Sequence, residues 1–398
     1  MTRFGTAVQK IDERIPGVDL PLMSVSQTKG VVRRSELTDA PQRAESLDAY
    51  KVCRKGDIVF NKMKIRSGAM GVAHEDGLVT YHYEVMRPRD GMHPPYIVHI
   101  MKSSWFTGEL ISRERGISAG GEHGGIRTTE VPFTVLRTID ILLPEIAEQR
   151  AIAGYLDRET ARIDTLIEEQ QRLIEILRER RVAAIATVLD STADHVTRLK
   201  YVSTVQSGVT LSGEGNESDP EWPYLRVANV QVGYVNLQEV KTVRVSSDRA
   251  AASSLQTGDV LMTEGGDIDK LGRGALWRGQ LPNMLHQNHI FAVRPSEALD
   301  SEFLIYWLDG PVARRYFRTT ARQTTNLAGT NKWILGNLPV PLPPIEDQER
   351  RVALLDEQIA KTDTLIAEVE QFIELARERR AALITAAVTG QIDVREMA

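Results

Sequence analysis

The chain lacks several features that define whole classes of protein. Its 398 residues contain one cysteine, Cys53, which excludes an internal disulfide framework and a zinc site built from several thiolates. No stretch approaches about 18 consecutive apolar residues, so no membrane-spanning helix is predicted. The first residues have no apolar core after their basic residue and do not resemble a signal peptide. We therefore expect a cytoplasmic protein.

Motifs for catalysis are missing as well. The sequence contains neither a phosphate-binding G-x-x-x-x-G-K-[ST] loop nor a G-x-G-x-x-G turn after a strand. It also lacks the Asn/Asp-Pro-Pro-aromatic loop that an adenine methyltransferase needs. His286 and His289 have a ligand-like spacing, but no third or fourth ligand accompanies them. Cys53 has no identified His or Asn partner, so a structural thiol is expected. The sequence predicts no catalytic residue, no metal and no cofactor on this chain.

The chain is a tandem repeat. Asp164 and Asp363 are 199 residues apart, and at that offset Asp-Thr-Leu-Ile and Arg-Glu-Arg-Arg each coincide with a second copy. Gln149 coincides with Gln348 at the same offset. The segments before these copies are also related, because Lys-Gly-Asp-Ile-Val at 55–59 matches Thr-Gly-Asp-Val-Leu at 257–261. The alternative is two unrelated α+β domains with similar linkers.

Each repeat ends in a long predicted helix. Apolar residues recur at steps of three and four over about five heptads, which is typical of a coiled-coil seam. About 40 residues at 1.5 Å rise give a length of about 60 Å. Antiparallel pairing of the two helices within one chain is the most economical arrangement; dimerisation of two chains is the alternative. The predicted seam residues are Leu156, Ile163, Ile167, Ile174, Leu177, Leu355, Ile359, Ile366, Ile373 and Leu383.

The remaining segments have the short apolar runs and turn residues of β-rich domains. Strand-like runs include 22–26, 57–60, 224–230, 258–262 and 288–295, and 299–308 is predicted to be a helix. We therefore predict an α+β fold in which two β-rich domains alternate with two long helices, paired as an antiparallel coiled coil in a pseudo-twofold tandem repeat. The expected divisions are 1–142, 143–192, 193–342 and 343–398.

The charge is unevenly distributed between these parts. The net charge is −5, from 49 Lys and Arg against 54 Asp and Glu, whereas a nucleic-acid partner normally selects a basic surface. However, residues 1–140 have 20 cations against 17 anions, and residues 197–340 have 15 against 14. The acidity therefore belongs to the helical segments. The two domains are weakly basic, so we expect the isolated chain to bind DNA poorly and partners to supply much of the phosphate contact.

The two domains contain clusters of cations interleaved with amide and hydroxyl side chains. Arg and Lys suit guanine and phosphates, and Asn and Gln suit adenine. For each cluster, a solvated surface is the alternative, and Arg314 with Arg315 is expected to lie on a surface or in ion pairs. The candidate DNA-binding residues are Arg33, Arg34, Asn61, Lys62, Lys64, Arg66, Arg127, Arg226, Asn229, Lys270, Arg273, Arg278, Arg322, Thr324, Asn331 and Lys332.

Several of these motifs resemble one protein family. Residues 341–350, Pro-Leu-Pro-Pro-Ile-Glu-Asp-Gln-Glu-Arg, followed by Asp363-Thr-Leu-Ile and the run 377–392, are similar to the distal conserved region of type I restriction–modification specificity subunits. The segment 143–189 resembles their central conserved region. Residues 205–230 resemble the usual opening of their target-recognition domains. The resemblance extends over nearly the whole chain and is weaker in the first domain.

The resemblance implies a non-catalytic subunit of a phage-defence system. Each target-recognition domain would read one half of a split, asymmetric site in double-stranded DNA, and the helices would set the spacer and hold two adenine methyltransferase subunits. S-adenosylmethionine would bind to those partners, and ATP and Mg²⁺ to the restriction and translocase subunits. A prokaryotic, nucleoid-associated location and no membrane contact would follow.

One departure from the family pattern concerns the first domain. If Met23 corresponds to Leu225, Met1 aligns near Ser203, so we expect the first domain to lack a counterpart of 197–202. Two other functions are considered. A coiled-coil adaptor would show no DNA selectivity of its own, and a methyltransferase–specificity fusion would need cofactor motifs that the sequence lacks.

Overall fold

The computed structural model describes residues 1–39, 46–113, 131–189, 195–210, 218–323 and 327–394. The chain forms two compact units, Met1–Gln171 with Glu370–Ala398, and Arg172–Val369. Each unit contains one β-rich domain and part of both long helices, which confirms the predicted α+β class. Among the described residues, no helix has both the length and the apolar composition needed to cross a bilayer.

The first unit begins with short strands and ends its globular part with helices. Its strands are β1 Thr2–Arg3, β2 Val8–Ile11, β3 Met23–Ser26, β4 Gly30–Arg33, β5 Lys51–Cys53, β6 Ile58–Asn61, β7 Met70–Val72, β8 Gly77–Val79, β9 Tyr83–Pro88 and β10 Asp140–Ile141. Its helices are α1 Phe4–Ala7, α2 Pro94–Lys102, α3 Ser104–Arg113, α4 Phe133–Leu136 and the start of α5 Ile146–Val188.

The second unit has the same plan. Its strands are β11 Val196–Arg198, β12 Ser203–Ser207, β13 Glu221–Leu225, β14 Lys241–Arg244, β15 Val260–Thr263, β16 Gly265–Gly266, β17 Gly274–Leu276, β18 Leu285–His286, β19 Ile290–Pro295, β20 Arg322–Gln323, β21 Ala328–Gly329 and β22 Pro339–Pro341. Its helices are α6 Leu199–Val202, α7 Ser247–Ser253, α8 Ser301–Asp309, α9 Pro311–Thr320, α10 Lys332–Gly336 and the start of α11 Ile345–Val388.

The central sheets of the two units have equivalent strand orders. The order is β2-β9-β6-β7 in the first unit and β12-β19-β15-β17 in the second, and every pairing within these sheets is antiparallel. In both units an apolar core lies between this sheet and the helices that follow it. The largest core residues are Phe4, Phe60, Tyr96 and Phe106 in the first unit, and Phe303, Trp307 and Phe317 in the second.

The first domain does contain a counterpart of 197–202, so that expectation is wrong. Strand β1 pairs antiparallel with β10, as β11 pairs with β22. Helix α1 follows β1 as α6 follows β11, and the Phe4 N–H donates to Ile139 O at 2.7 Å as the Leu199 N–H donates to Leu338 O at 2.9 Å. The difference lies further along the chain, because the offset between the repeats is 195 residues at Phe4 and Leu199 but 202 residues at Gly56 and Gly258. Alignment at one constant offset therefore misplaced the first strand.

A buried carboxylate explains the repeated Gly-Asp motif. Asp57 is buried and accepts two hydrogen bonds from the Arg87 guanidinium, at 2.8 and 3.0 Å. Asp259 is buried and accepts two from Arg294, at 2.8 and 2.7 Å. Each carboxylate also accepts a backbone N–H, and the pairing raises the pKa of both arginines. The preceding glycine has a positive φ of 92° or 95°, which favours glycine over other residues.

A buried glutamine at the start of each long helix joins the helix to its domain. Gln149 accepts the His93 N–H at 2.9 Å and donates to Pro144 O at 2.8 Å. Gln348 accepts the Asp300 N–H at 2.8 Å and donates to Pro343 O at 2.8 Å. The repeated glutamines of the sequence are therefore equivalent in structure, and each fixes the start of a long helix beside α2 or α8.

The long helices run antiparallel, as predicted. In the first unit Arg380, near the end of α11, forms an ion pair with Asp164 of α5 at 2.8 Å. In the second unit Arg181, near the end of α5, forms the equivalent pair with Asp363 of α11 at 3.3 Å. In antiparallel helices, the residue numbers of facing positions have a constant sum. The residue numbers of the two ion pairs have the same sum, so both pairs fit one antiparallel register.

The predicted seam residues lie on the less exposed faces of the helices. Leu156, Ile174, Leu177, Leu355, Ile359 and Ile373 are buried, and Ile163, Ile167, Ile366 and Leu383 are half-buried. Ile185 and Ile384, which the seam pattern omitted, are 2% exposed and belong to the cores of the second and first unit. Each of these two residues lies one position after the heptad pattern, because the end of the helix packs on a domain instead of on the other helix.

We expect Asp259→Ala to lower the free energy of unfolding by about 3 kcal/mol, because removal of one partner leaves Arg294 without its buried counter-charge. Urea denaturation of the full chain, followed by tryptophan fluorescence, measures the change. Glu75→Ala is the matched control, since Glu75 pairs with Arg33 at the exposed surface and its loss should have little effect. An unchanged urea midpoint for Asp259→Ala would show that the buried pair does not stabilise the domain.

Candidate nucleic-acid interface

A loop at one end of the central sheet of the first unit contains three cations. It follows β6 and includes Lys62, Lys64 and Arg66, of which Lys64 and Arg66 are exposed. The loop is anchored by buried Ile65 and by a hydrogen bond from the Lys62 N–H to His82 O at 3.1 Å. Asn61, also a candidate residue, accepts the Met63 N–H at 2.9 Å and thereby shapes the loop.

An exposed aromatic ring lies beside these cations. Tyr81 precedes His82, and the two rings are 3.9 Å apart between centroids. Tyr81 is 64% exposed. The hydroxyl group of Tyr81 and the neighbouring cations can donate hydrogen bonds to the phosphates of duplex DNA. This end of the sheet is therefore the candidate interface of the first unit.

The second unit places a different surface at the equivalent end of its sheet. The Glu264 N–H, just after β15, donates to His289 O at 2.9 Å, as the Lys62 N–H donates to His82 O. The small sheet β16-β21-β20 begins here, and three of the four residues in β16 and β21 are glycine. Arg322, at the start of β20, is exposed. The lack of side chains leaves the backbone of this sheet open to a ligand.

A groove of about 490 Å³ lies beside this small sheet. It is lined by Lys270, Arg273 and the glycines of β16, and by two exposed apolar side chains, Tyr234 and Leu327. The groove combines cations, open backbone and apolar surface, which are the groups that contact phosphates, base edges and thymine methyl groups.

The candidate cations differ in whether an acidic residue neutralises them. Lys64, Arg322 and Lys332 form no ion pair with any part of the chain that the structure describes. Other candidates are paired: Arg33 with Glu75, Arg226 with Glu239, Lys270 with Asp267, Arg273 with Asp309 and Arg278 with Glu302. The pairs of Arg33, Lys270 and Arg278 are exposed. Exposed ion pairs contribute little stability, so these three cations can exchange a carboxylate for a phosphate at low cost.

Two candidate asparagines have structural partners. Asn229 is buried, and its side-chain amide donates to Asn236 O and Glu239 O at 2.8 and 2.9 Å. Its Oδ1 accepts the Arg226 N–H at 2.8 Å. Asn331 caps α10, because its Oδ1 accepts the Ile334 N–H at 2.9 Å. Both amides therefore stabilise the local backbone.

The remaining candidates lie away from these sheet ends or outside the described residues. Arg33 and Arg34 lie near Glu75, which follows β7, at the opposite end of the β6–β7 hairpin from Lys64. Arg278 follows β17 and pairs with Glu302 of α8, away from the small sheet. Arg127 and Thr324 lie outside the described residues.

Arg314 positions the Lys270 loop and was not among the candidates. It is 8% exposed, and its guanidinium donates to the backbone carbonyls of Leu271, Ile268 and Asp269, the last at 2.9 Å. Burial lowers the pKa of Arg314 to about 10. The expectation of a surface arginine is wrong, and its position on the apolar face of α9, between Ala313 and Phe317, was the available signal.

His286 and His289, the two histidines with a ligand-like spacing, have separate partners. The imidazole of His286 is buried, and its Nδ1 lies 3.0 Å from Ile290 O. Burial lowers the pKa of His286. His289 Nδ1 lies 2.7 Å from a carboxylate oxygen of Glu264. Among the described residues, no group of three or more His, Cys, Asp or Glu side chains is arranged to hold a metal ion.

No protein-family model matches the chain. The EcoKI specificity subunit of Escherichia coli K12, a type I restriction enzyme subunit, is 24% identical over 324 residues, which cover 77% of this chain and 68% of that protein. A structure described as showing complex assembly and conformational transition of the type I R-M system contains a similar chain, with a TM-score of 0.75, 18% identity, and coverage of 98% and 97%. The HsdS subunit of Thermoanaerobacter tengcongensis has a TM-score of 0.58, 20% identity, and coverage of 98% and 96%.

We expect the double variant Lys64→Ala, Arg322→Ala to bind duplex DNA more weakly, by a similar factor for all sequences. Each lost phosphate contact should reduce the slope of log affinity against log salt concentration by about one. Fluorescence anisotropy of the full chain with a labelled duplex at several salt concentrations measures both quantities. Lys361→Ala with Lys29→Ala is the control for charge, and an equal effect of the two pairs would contradict the proposed location of the interface.

Proposed function

We propose that this chain, which resembles the type I specificity subunits in sequence and shares their fold, is the non-catalytic DNA-specificity subunit of a type I restriction–modification complex. The full-length similarity in fold, with candidate interfaces at equivalent ends of two repeated domains, supports this proposal. One domain reads each half of a bipartite, asymmetric site in double-stranded DNA.

The difference between the two candidate interfaces supports an asymmetric site. In the first domain the loop at the sheet end has Lys62, Lys64 and Arg66 beside the ring of Tyr81. In the second domain the equivalent position has a glycine-rich small sheet with Arg322. The repeated scaffold places different side chains at equivalent positions, so the two domains select different base sequences.

The long helices set the spacer between the half-sites in this proposal. Helix α5 has 43 residues and α11 has 44, which corresponds to about 65 Å for each. Half-sites on one face of DNA lie about 34–36 Å apart, or at multiples of this distance. Helices of this length suit two half-sites more than one turn apart, with base pairs between them that are not read.

Exposed apolar side chains on the helices support docking of partner subunits. Leu173 and Ile176 on α5 are 38% and 50% exposed. Phe372 and Leu375 on α11, at the equivalent repeat positions, are 42% and 55% exposed. Large apolar side chains on an exposed helix face are typical of protein interfaces. Because the two sets are equivalent, they suit two copies of one partner, the adenine methyltransferase subunit.

The chemistry of the complex belongs to the partners in this proposal. The methyltransferase subunits bind S-adenosylmethionine, and restriction–translocase subunits bind ATP and Mg²⁺. This chain supplies sequence selectivity and a scaffold. A coiled-coil adaptor without DNA selectivity is the alternative, and the cations at the sheet ends favour the specificity subunit over it.

Methylome sequencing tests the proposed function. Cells that produce the cognate methyltransferase are compared with and without this chain. We expect adenine methylation at one bipartite motif, with two specified blocks separated by a fixed number of unspecified base pairs, only when this chain is present. The methyltransferase produced alone should leave the same sites unmodified, because it lacks the subunit that selects them.

Two outcomes would contradict the proposal. Methylation of the same motif without this chain would assign selectivity to the methyltransferase and leave the adaptor function. Methylation by this purified chain with S-adenosylmethionine alone would show that it is itself an enzyme. The variant Phe372→Asp with Leu375→Asp tests the docking of the methyltransferase separately. We expect it to lose methylation, while the purified chain keeps its helical content.

A further inference from the structure

The second unit exposes two large aromatic side chains on adjacent short helices. Trp333 of α10 is 74% exposed and Tyr201 of α6 is 71% exposed. Helices α6 and α10 lie side by side, because Lys200 Nζ donates to Asn337 Oδ1 at 3.0 Å and the Asn337 amide donates to Trp333 O at 2.8 Å. We call the surface formed by Tyr201, Trp333, Lys200 and Lys332 the aromatic surface.

The aromatic surface is surrounded by positive charge. Lys200 Nζ lies 5.2 Å from the centroid of the Tyr201 ring, and Arg198 also donates to Asn337 Oδ1, at 3.3 Å. Lys332 is exposed. The segments 195–207 and 327–342, which form this part of the unit, contain no Asp or Glu. An acidic ligand is therefore complementary to this surface.

Among its described residues, the first unit has no equivalent of the aromatic surface. Helices α1 and α4 correspond to α6 and α10, and the register of β1 with β10 places Gly5 and Thr6 at the positions of Lys200 and Tyr201. Thr134 occupies the position of Trp333. The scaffold is repeated but this surface is not, so its ligand binds once per chain.

A protein ligand fits this surface better than DNA. Duplex DNA keeps its bases stacked and offers no base face to Trp333, whereas stacking on aromatic rings requires an unpaired strand. Protein interfaces are enriched in Trp, Tyr and Arg at their centres, where an aromatic side chain fills a pocket of the partner. Exposed aromatic rings surrounded by cations match an acidic protein surface with an apolar pocket.

We propose that the aromatic surface binds an acidic face of one methyltransferase subunit, in addition to the repeated sites on the long helices. The identity of this partner rests on the proposed function. The consequence is that the two methyltransferase copies bind unequally, since the copy at the second unit gains a contact that the first unit does not provide.

The proposal is tested by the stoichiometry of the complex. The full chain is titrated with the cognate methyltransferase, and mass photometry measures the populations with one and two copies. We expect Tyr201→Ala with Trp333→Ala to weaken one of the two binding steps at least tenfold, because central interface aromatics supply much of the affinity. The other step should be unchanged.

The matched control is Thr6→Ala with Thr134→Ala at the equivalent positions of the first unit, which should leave both steps unchanged. Tyr201→Phe with Trp333→Phe keeps apolar rings and should restore most of the affinity, which separates a lost contact from a misfolded unit. Equal affinities for the alanine variant and the wild-type chain would overturn the proposal. Loss of both methyltransferase-binding steps in the alanine variant and also in the phenylalanine variant would overturn it as well.

A spectroscopic measurement separates a protein ligand from DNA. The chain has five tryptophans, of which Trp333 is exposed and the others are buried or half-buried. With 5-fluorotryptophan in this chain only, the ¹⁹F resonance of Trp333 is assigned by Trp333→Phe. We expect that resonance to shift on addition of the methyltransferase and to stay in place on addition of duplex DNA. A shift with DNA alone would overturn the proposal in favour of a nucleic-acid contact.

A wild-type chain that binds no methyltransferase would refute the proposed function and this partner together. A chain that directs methylation normally, but whose Trp333 resonance does not respond to the methyltransferase, would refute only the aromatic-surface proposal.

Discussion

The antiparallel pairing of the two long helices is the constraint on which both units depend. Each globular core is completed by the start of one helix and the end of the other. Ile152 and Leu156 of α5 share a core with Ile384 of α11 in the first unit, and Leu355 of α11 shares one with Ile185 of α5 in the second. A shift of one helix by one turn would expose apolar surface in both cores and separate both interhelical ion pairs. The helices therefore have one register that satisfies both domains.

The repeated and unrepeated features of the chain have different roles. The buried Asp–Arg pairs, the glutamines at the helix starts and the interhelical ion pairs occur in both units at equivalent positions, and each of them fixes backbone or helix positions. The loops at the sheet ends and the exposed aromatic rings differ between the units. Because the scaffold is equivalent, the chemistry that distinguishes the two halves is confined to a few surface side chains, and the proposed selectivity resides there.

Much of the fold could be predicted from the sequence, because its determinants are local or periodic. Heptad spacing and the 199-residue repeat were sufficient for the long helices and their pairing, and the helix predicted at 299–308 lies at Ser301–Asp309. The first strand was misplaced because an offset measured in one segment does not hold across loops of unequal length. The candidate site was harder to predict. An asparagine suits adenine or the backbone equally well, and only the fold shows that Asn229 bonds to the backbone. The burial of Arg314 depended on α9 packing over the Lys270 loop, which is a tertiary contact.

Exchange of the two domains within one chain tests the central claim most directly. A variant is made in which residues 193–342 and residues 1–142 replace each other, so that each domain lies on the equivalent helical residues of the other repeat. The methylated motif is then determined in cells that produce the cognate methyltransferase. If each domain reads its own half-site and the helices are equivalent supports, the variant directs methylation to the same bipartite duplex sequence, read from the opposite end. A motif with the half-sites in a different relative orientation, or a new sequence in either half, would contradict that claim.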